Sequence, residues 1–130
     1  MTIRTILAAS ILATTPALGF AQDVEGDAEA GEKVFRKCKA CHAVGEGAEN
    51  KIGPVLNGVV GRDVASNPDF KYSDALTEIG GAGTAWTPEE LSAFLEKPRD
   101  YAKGTKMAFA GLRKEDDRMN VIAYLATFGE

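Results

Sequence analysis

Cys38-Lys39-Ala40-Cys41-His42 contains both cysteines and the single histidine of this 130-residue chain. Two thiols and an imidazole in this order match C-x-x-C-H, the signature for covalent attachment of a c-type haem. The spacing suits the chemistry: each thiol adds to one porphyrin vinyl group as a thioether. The imidazole beside the second thiol then stands over the iron as an axial ligand. No other stretch constrains the fold as strongly, because a chain tied to such a disc can use it as an apolar plate on which to pack.

Rival readings of the motif fit less well. A thioredoxin-like redox pair follows a strand in a βαβ pattern, and no strand pattern precedes Cys38. Structural zinc takes four ligands, typically from two knuckles, and one knuckle is present. A plain Cys38–Cys41 disulfide leaves His42 without a role. The cofactor expected is therefore one covalent haem c per chain, with its iron.

Residues 1–21 read as a signal peptide. Arg4 supplies the positive start, Ile6 to Leu12 the apolar stretch, and Gly19 and Ala21 the small residues before a cleavage site. A membrane anchor needs ~20 predominantly apolar residues, and Thr14, Thr15 and Pro16 interrupt the run too early. Export agrees with the haem reading, since bacterial c-type haem is attached outside the cytoplasmic membrane. The expected location is the periplasm, and the mature chain, 22–130, is read as one small domain. Its 15 basic and 19 acidic residues give a formal charge of −4, which argues against a nucleic-acid partner. No repeat or flexible linker marks a second domain.

Helical signals appear at both ends and in between. Asp27 is a candidate N-cap for a first helix that runs into the haem motif, with Val34, Phe35 and Cys38 on one face. A short helix from Ser73 to about Ile79 is closed by Gly80-Gly81. Thr87-Pro88-Glu89-Glu90 is a capping box with proline at the first helical position. The helix it opens presents Leu91, Phe94 and Leu95 and must stop before Pro98. The last helix is expected over 115–128, with Gly129 as C-cap and Glu115, Asp116 and Asp117 facing its N-terminal dipole. Between Val44 and Tyr72 the chain is glycine-punctuated, with neither helical nor strand period. Such a long irregular stretch is unusual inside a compact domain unless it packs on a large apolar group. The fold class is all-α, with long irregular loops wrapped around a covalently bound haem.

The opposite axial position of the iron is open to methionine, lysine or a vacancy. Apart from the initiator, the methionines are Met107 and Met119. Met119 falls within the last helix, spaced with Ile122 and Ala123, and reads as a core residue. Met107 lies in Lys103-Gly104-Thr105-Lys106-Met107-Ala108-Phe109, which has no helical period, and is the preferred ligand. A neutral thioether favours ferrous iron and raises the reduction potential. An iron ligated by protein on both faces leaves no room for oxygen or peroxide, so the expectation is a carrier rather than an enzyme. The alternative is a small haem enzyme or ligand-binding sensor with an open iron site.

Together these stretches resemble class I cytochrome c, specifically the bacterial cytochrome c2 branch close to mitochondrial cytochrome c. The resemblance begins at Gly31 and runs through the haem motif, Lys51-Ile52-Gly53-Pro54, Gly58-Val59-Val60-Gly61-Arg62 and Phe70-Lys71-Tyr72-Ser73-Asp74-Ala75. It continues through Gly104-Thr105-Lys106-Met107-Ala108-Phe109-Ala110-Gly111 and Ile122-Ala123-Tyr124-Leu125. It implies a small cytochrome c fold with crossing N- and C-terminal helices, where Gly31 and Phe35 meet Tyr124 and Leu125. It further implies that the Pro54 carbonyl accepts a hydrogen bond from His42, which orients the ring and makes it more basic. By the same resemblance, Arg62, Tyr72, Trp86 and Thr105 bond or shield the haem propionates, and Phe109 sits beside the exposed haem edge. Three departures stand out. Phe94 replaces a tyrosine that in many relatives reaches the methionine sulfur. The Gly80-Gly81-Ala82-Gly83 stretch reads as a longer surface loop, and Asp100 stands where mitochondrial relatives carry lysine.

Lys33, Lys37, Lys39, Lys51, Lys103, Lys106, Arg113 and Lys114 match positions around the haem edge in that family, whereas acidic residues cluster elsewhere. The plain alternative is a mixed, solvated surface. The functional reading is a basic face steering a monomeric carrier toward acidic membrane redox complexes, with association weakening as salt rises. A cytochrome bc complex is the expected donor. A terminal oxidase or photosynthetic reaction centre is the expected acceptor.

Overall fold

The computed structural model describes residues 24–129. The expected signal peptide, 1–21, lies outside the described residues. Five helices follow in chain order: α1 (Ala28–Phe35), α2 (Asp74–Gly81), α3 (Pro88–Glu96), α4 (Pro98–Tyr101) and α5 (Glu115–Leu125). Among the described residues there is no strand, only an isolated antiparallel bridge between Asp63 and Ala85. The all-α reading holds.

Asp27 caps α1 as expected, its carboxylate accepting from the amides of Glu29 (2.8 Å) and Ala30 (3.0 Å). The helix stops at Phe35, however, and does not carry the haem motif. Beyond it the chain tightens. Lys37 N–H reaches Val34 and Cys38 N–H reaches Phe35, at 3.1 and 2.8 Å. These three-residue turns lead into the motif, where the Cys38 carbonyl accepts from Cys41 N–H at 3.1 Å and His42 N–H at 2.9 Å.

α2 begins on Ser73, whose hydroxyl accepts from Leu76 N–H at 3.3 Å. Gly80 and Gly81 do not close it; both lie inside, and Ala82 is the C-cap. Gly80 is required there by a neighbour, since a Cβ would sit 2.1 Å from the Val64 carbonyl oxygen. Of the expected surface loop, therefore, only residues 82 and 83 fall outside the helix.

Thr87 Oγ1 caps α3, accepting from Glu90 N–H at 3.2 Å. The reciprocal half of the capping box is not made, because the Glu90 carboxylate accepts from the Tyr101 hydroxyl instead. α3 ends before Pro98 as expected: Lys97 adopts φ −148°, ψ 84°, the extended backbone favoured ahead of proline. Pro98 then starts α4, a single turn that periodicity does not reveal.

α5 ends at Leu125, short of the expected 128. Thr127 Oγ1 donates to the Tyr124 carbonyl at 2.6 Å, taking the acceptor that a continued helix would offer to Phe128. The chain leaves the helix axis, and the Phe128 carbonyl accepts from Gly58 N–H at 2.7 Å. Met119 is half-buried and lies outside the buried core, contrary to the expectation. Its side of α5 turns toward the N-terminal segment, where its carbonyl lies against Gly26.

α1 packs on α5, with Phe35 and Tyr124 ring centroids 5.4 Å apart. The crossing point is Gly31, where a Cβ would lie 1.9 Å from the Asn120 carbonyl oxygen. The helices approach so closely because Gly31 has no side chain. Arg118, 8% exposed, ties α5 to the rest. Its guanidinium donates to Ser92 Oγ (3.0 Å) and to the Leu112 and Arg113 carbonyls (2.9 Å each).

Candidate functional site

A cavity of about 330 Å³ opens between α1, α3, α5 and the irregular loops. Its walls are largely apolar: Phe35, Leu56, Val59, Leu91, Leu95, Val121 and Leu125 all face it. Cys38, Cys41, His42 and Met107 line the same cavity, as do Pro54, Arg62, Tyr72, Trp86, Thr105 and Phe109. Residues from Phe35 to Leu125 thus meet around one space.

The His42 ring is fixed from two sides. Nδ1 lies 2.8 Å from the Pro54 carbonyl oxygen. A carbonyl can only accept, so Nδ1 carries the proton and Nε2 keeps its lone pair. Gly53 lets the main chain pass against the ring, since a Cβ there would be 2.4 Å from Cε1. Burial, opposed by the Pro54 contact and aided by nearby Lys51, holds the imidazole below its ordinary pKa and therefore neutral. Neutral imidazole is the form that ligates metal.

The two thiols are not bonded to each other. Burial, the largest influence, raises the Cys38 pKa; Lys37 lowers it and Cys41 adds to the rise. Catalytic redox pairs show the opposite, a thiol pushed toward thiolate. Among the described residues no three His, Cys, Asp or Glu side chains converge as for a bare metal ion, which also disfavours a zinc knuckle.

The polar rim is assembled by backbone pairing. Around the Asp63–Ala85 bridge, Trp86 N–H donates to the Arg62 carbonyl and Gly61 N–H to the Trp86 carbonyl, both at 2.7 Å. Arg62 and Trp86, distant in sequence, are thereby neighbours. Arg62 Nη1 donates to the Asn57 carbonyl at 3.0 Å, yet its Nε is buried without a partner. An unpaired buried guanidinium N–H is costly, and an anionic group entering the cavity would satisfy it. Tyr72 packs on Phe70, centroids 5.0 Å apart, and its hydroxyl accepts from Asn67 N–H at 3.2 Å. Thr105 Oγ1 accepts from Met107 N–H at 3.3 Å.

The donor set fits a haem. Two thiols, a neutral imidazole, a thioether and an orphaned cationic N–H share one apolar cleft, matching vinyl groups, iron and carboxylates respectively. The eight basic residues singled out in the sequence are all exposed, and Lys37 and Lys106 stand at the mouth of the cavity.

Sequence reasoning missed several supports. Asn57 exchanges two 2.8 Å hydrogen bonds with Gly45. Asn50 Oδ1 accepts from both Val55 N–H (2.8 Å) and Asn67 Nδ2 (2.9 Å). These amides staple the irregular loop on which Arg62 and Tyr72 stand. An isolated asparagine in a glycine-rich stretch gives no periodic signal, so its partner emerges only in three dimensions. Phe94, 8% exposed, lines the cavity as an apolar wall and packs on Trp86 and Tyr101.

Comparison with known proteins agrees with this geometry. The Cytochrome c family model matches residues 28–129. The chain is 52% identical over 101 residues to cytochrome c2 of Agrobacterium tumefaciens, covering 78% of this chain and 91% of that protein. It is 54% identical over 98 residues to cytochrome c-550 of Ancylobacter novellus, covering 75% and 92% respectively. The solved structure of cytochrome c2 from Rhodospirillum centenum superposes with a TM-score of 0.74 at 43% identity, over 81% of this chain and all of that one.

Proposed function

The chain belongs to the cytochrome c family, and from that premise we propose a periplasmic single-electron carrier whose haem iron is held by His42 and Met107. Membership carries with it a covalently bound haem c and its iron, and relatives of the cytochrome c2 type support the carrier role. When bound, the haem supplies a one-electron couple between ferric and ferrous iron. The protein's own part is to hold, orient and seal. Cys38 and Cys41 would fix the ring through thioethers, and the Pro54 carbonyl keeps the His42 Nδ1 proton in place, so that the Nε2 lone pair would be free to hold the iron. Arg62, Tyr72, Trp86 and Thr105 would receive the propionates.

The observation that carries this reading is that both thiols, the only imidazole and Met107 line one apolar cavity. His42 and Met107 together would hold the iron from the protein side and leave external ligands no place, so enzymatic turnover at iron is not expected. The exposed lysines around the cavity mouth support docking on an acidic surface. On this reading a cytochrome bc complex donates the electron, and a terminal oxidase or photosynthetic reaction centre accepts it. Residues 1–21 would be removed on export, leaving a monomeric chain of 22–130.

A redox-titrated absorption spectrum of the purified protein tests the ligation. The oxidised protein should be low-spin with the weak far-red band of sulfur–iron ligation. Met107→Ala should lose that band and bind carbon monoxide when reduced, whereas Met119→Ala should retain it. An unchanged spectrum in Met107→Ala would overturn the ligand assignment.

A further inference from the structure

The loop carrying Met107 has little of its own to hold it. Among the described residues, the backbone amides of 108–111 meet no protein acceptor. The segment is fastened at its ends and, beside Met107, by an exposed hydrogen bond from Lys106 Nζ to the Lys71 carbonyl at 3.2 Å. Leu112 N–H donates to the Leu95 carbonyl at 2.7 Å on one side, and Thr105 N–H to the Ala102 carbonyl at 3.0 Å on the other. Ala102 is the C-cap of α4, so the N-terminal end of the loop is as secure as that single turn. A segment poor in hydrogen bonds opens more readily than the core, and its opening follows its anchors.

Pro98 and Ala102 bury α4 against the core, but its polar ties to other elements are few. Its N-cap residue Lys97 makes no side-chain cap, and among the described residues one side-chain hydrogen bond joins α4 to another element: Tyr101 hydroxyl to Glu90 carboxylate. The Tyr101 ring lies stacked on Trp86, centroids 5.9 Å apart at 29°, and edge-on to Phe94 at 5.6 Å. Trp86 and Phe94 line the cavity, while Tyr101 does not. Tyr101 therefore braces two cavity walls from outside and clips the start of the Met107 loop to the first turn of α3.

We infer that the Tyr101–Glu90 contact is a latch that sets how often the Met107 loop opens, and hence how well the sixth iron position is closed to outside ligands. Tyr101 acts through its neighbours and is a positioning residue. The inference rests on Met107 ligation only for its ligand-binding consequence; the effect on loop opening stands independently. An external ligand that binds only the open form has an apparent affinity proportional to the open fraction. Losing a partly exposed hydrogen bond to a carboxylate should raise that fraction by roughly fivefold.

The test compares Tyr101→Phe and Glu90→Gln with the parent holoprotein, using imidazole binding to the oxidised form and amide hydrogen exchange. Tyr101→Phe keeps the aromatic packing but loses the hydroxyl. It should bind imidazole about fivefold more tightly and exchange the Thr105 amide faster by a similar factor, with the α1 and α5 amides unchanged. Glu90→Gln retains an acceptor oxygen and should lie nearer the parent. A parent-like Thr105 exchange rate in Tyr101→Phe would overturn the latch. So would equal acceleration of loop and terminal-helix amides, which marks a general loss of stability. A parent protein without the far-red sulfur–iron band would instead dismiss Met107 as ligand, and the exchange comparison would still decide the latch.

Discussion

The main chain at Gly53 runs so close to His42 that an added Cβ would lie 2.4 Å from Cε1 and 2.8 Å from Nδ1. Gly53 is adjacent to Pro54, whose carbonyl holds the ring, so one local path both clears and orients the imidazole. Gly53→Ala should force the ring or the loop aside, at a cost of about 2 kcal/mol, and break the Nδ1 contact. A weaker hydrogen bond makes the imidazole less basic, which disfavours ferric iron, so the reduction potential should rise. Denaturant titration and potentiometry check the two effects separately. The Pro54 contact was legible from resemblance alone; the need for glycine beside it was not, because close approach has no sequence period. Met119 shows the opposite failure. Its spacing with Ile122 put it on an apolar face, but that edge of α5 meets the chain around Gly26 and stays half-buried.

At the scale of elements, helix starts were easier to read than helix ends. Asp27, Ser73 and Thr87 all cap as their residue types suggest, because a side-chain oxygen and a nearby amide are a local event. The ends depend on what the chain meets next. α1 yields to the turns of the haem motif, α2 continues through two glycines because Gly80 fits against Val64, and α5 gives up Phe128 to hold Gly58. The α1–α5 contact is the element pair most exposed to a single change. Gly31→Ala would drive a methyl to 1.9 Å from the Asn120 carbonyl oxygen and 2.8 Å from Tyr124 Cβ. The helices must separate, at a cost of about 3 kcal/mol. A chemical denaturation midpoint lowered with little change in the far-red band would match that expectation. Loss of the band at unchanged stability would contradict it.

For the whole molecule, the cavity is large relative to the polypeptide core. Left unfilled, an apolar cleft of about 330 Å³ deprives its lining of packing partners, a serious loss for a small domain whose entire stability is about 5–15 kcal/mol. The haem is accordingly part of the core. Cys38→Ala with Cys41→Ala, which removes covalent attachment, should leave the chain largely unfolded by far-ultraviolet circular dichroism. A cooperative melt like the parent's in that variant would show that the polypeptide core suffices. The same reasoning explains why residues 44–72 have no periodic pattern: they line the cavity a flat cofactor would fill and are held by asparagine staples.

The cofactor and the helical class followed from the residues alone, because helix caps and the spacing of the haem motif act over a few positions. Tertiary structure decided what depends on distant segments meeting. It put Arg62 beside Trp86 through backbone pairing, left Arg62 Nε buried without a partner, and joined the Tyr101 hydroxyl to the Glu90 carboxylate of α3. Local chemistry is written in order along the chain, whereas a close approach exists only after folding has chosen which parts of it touch.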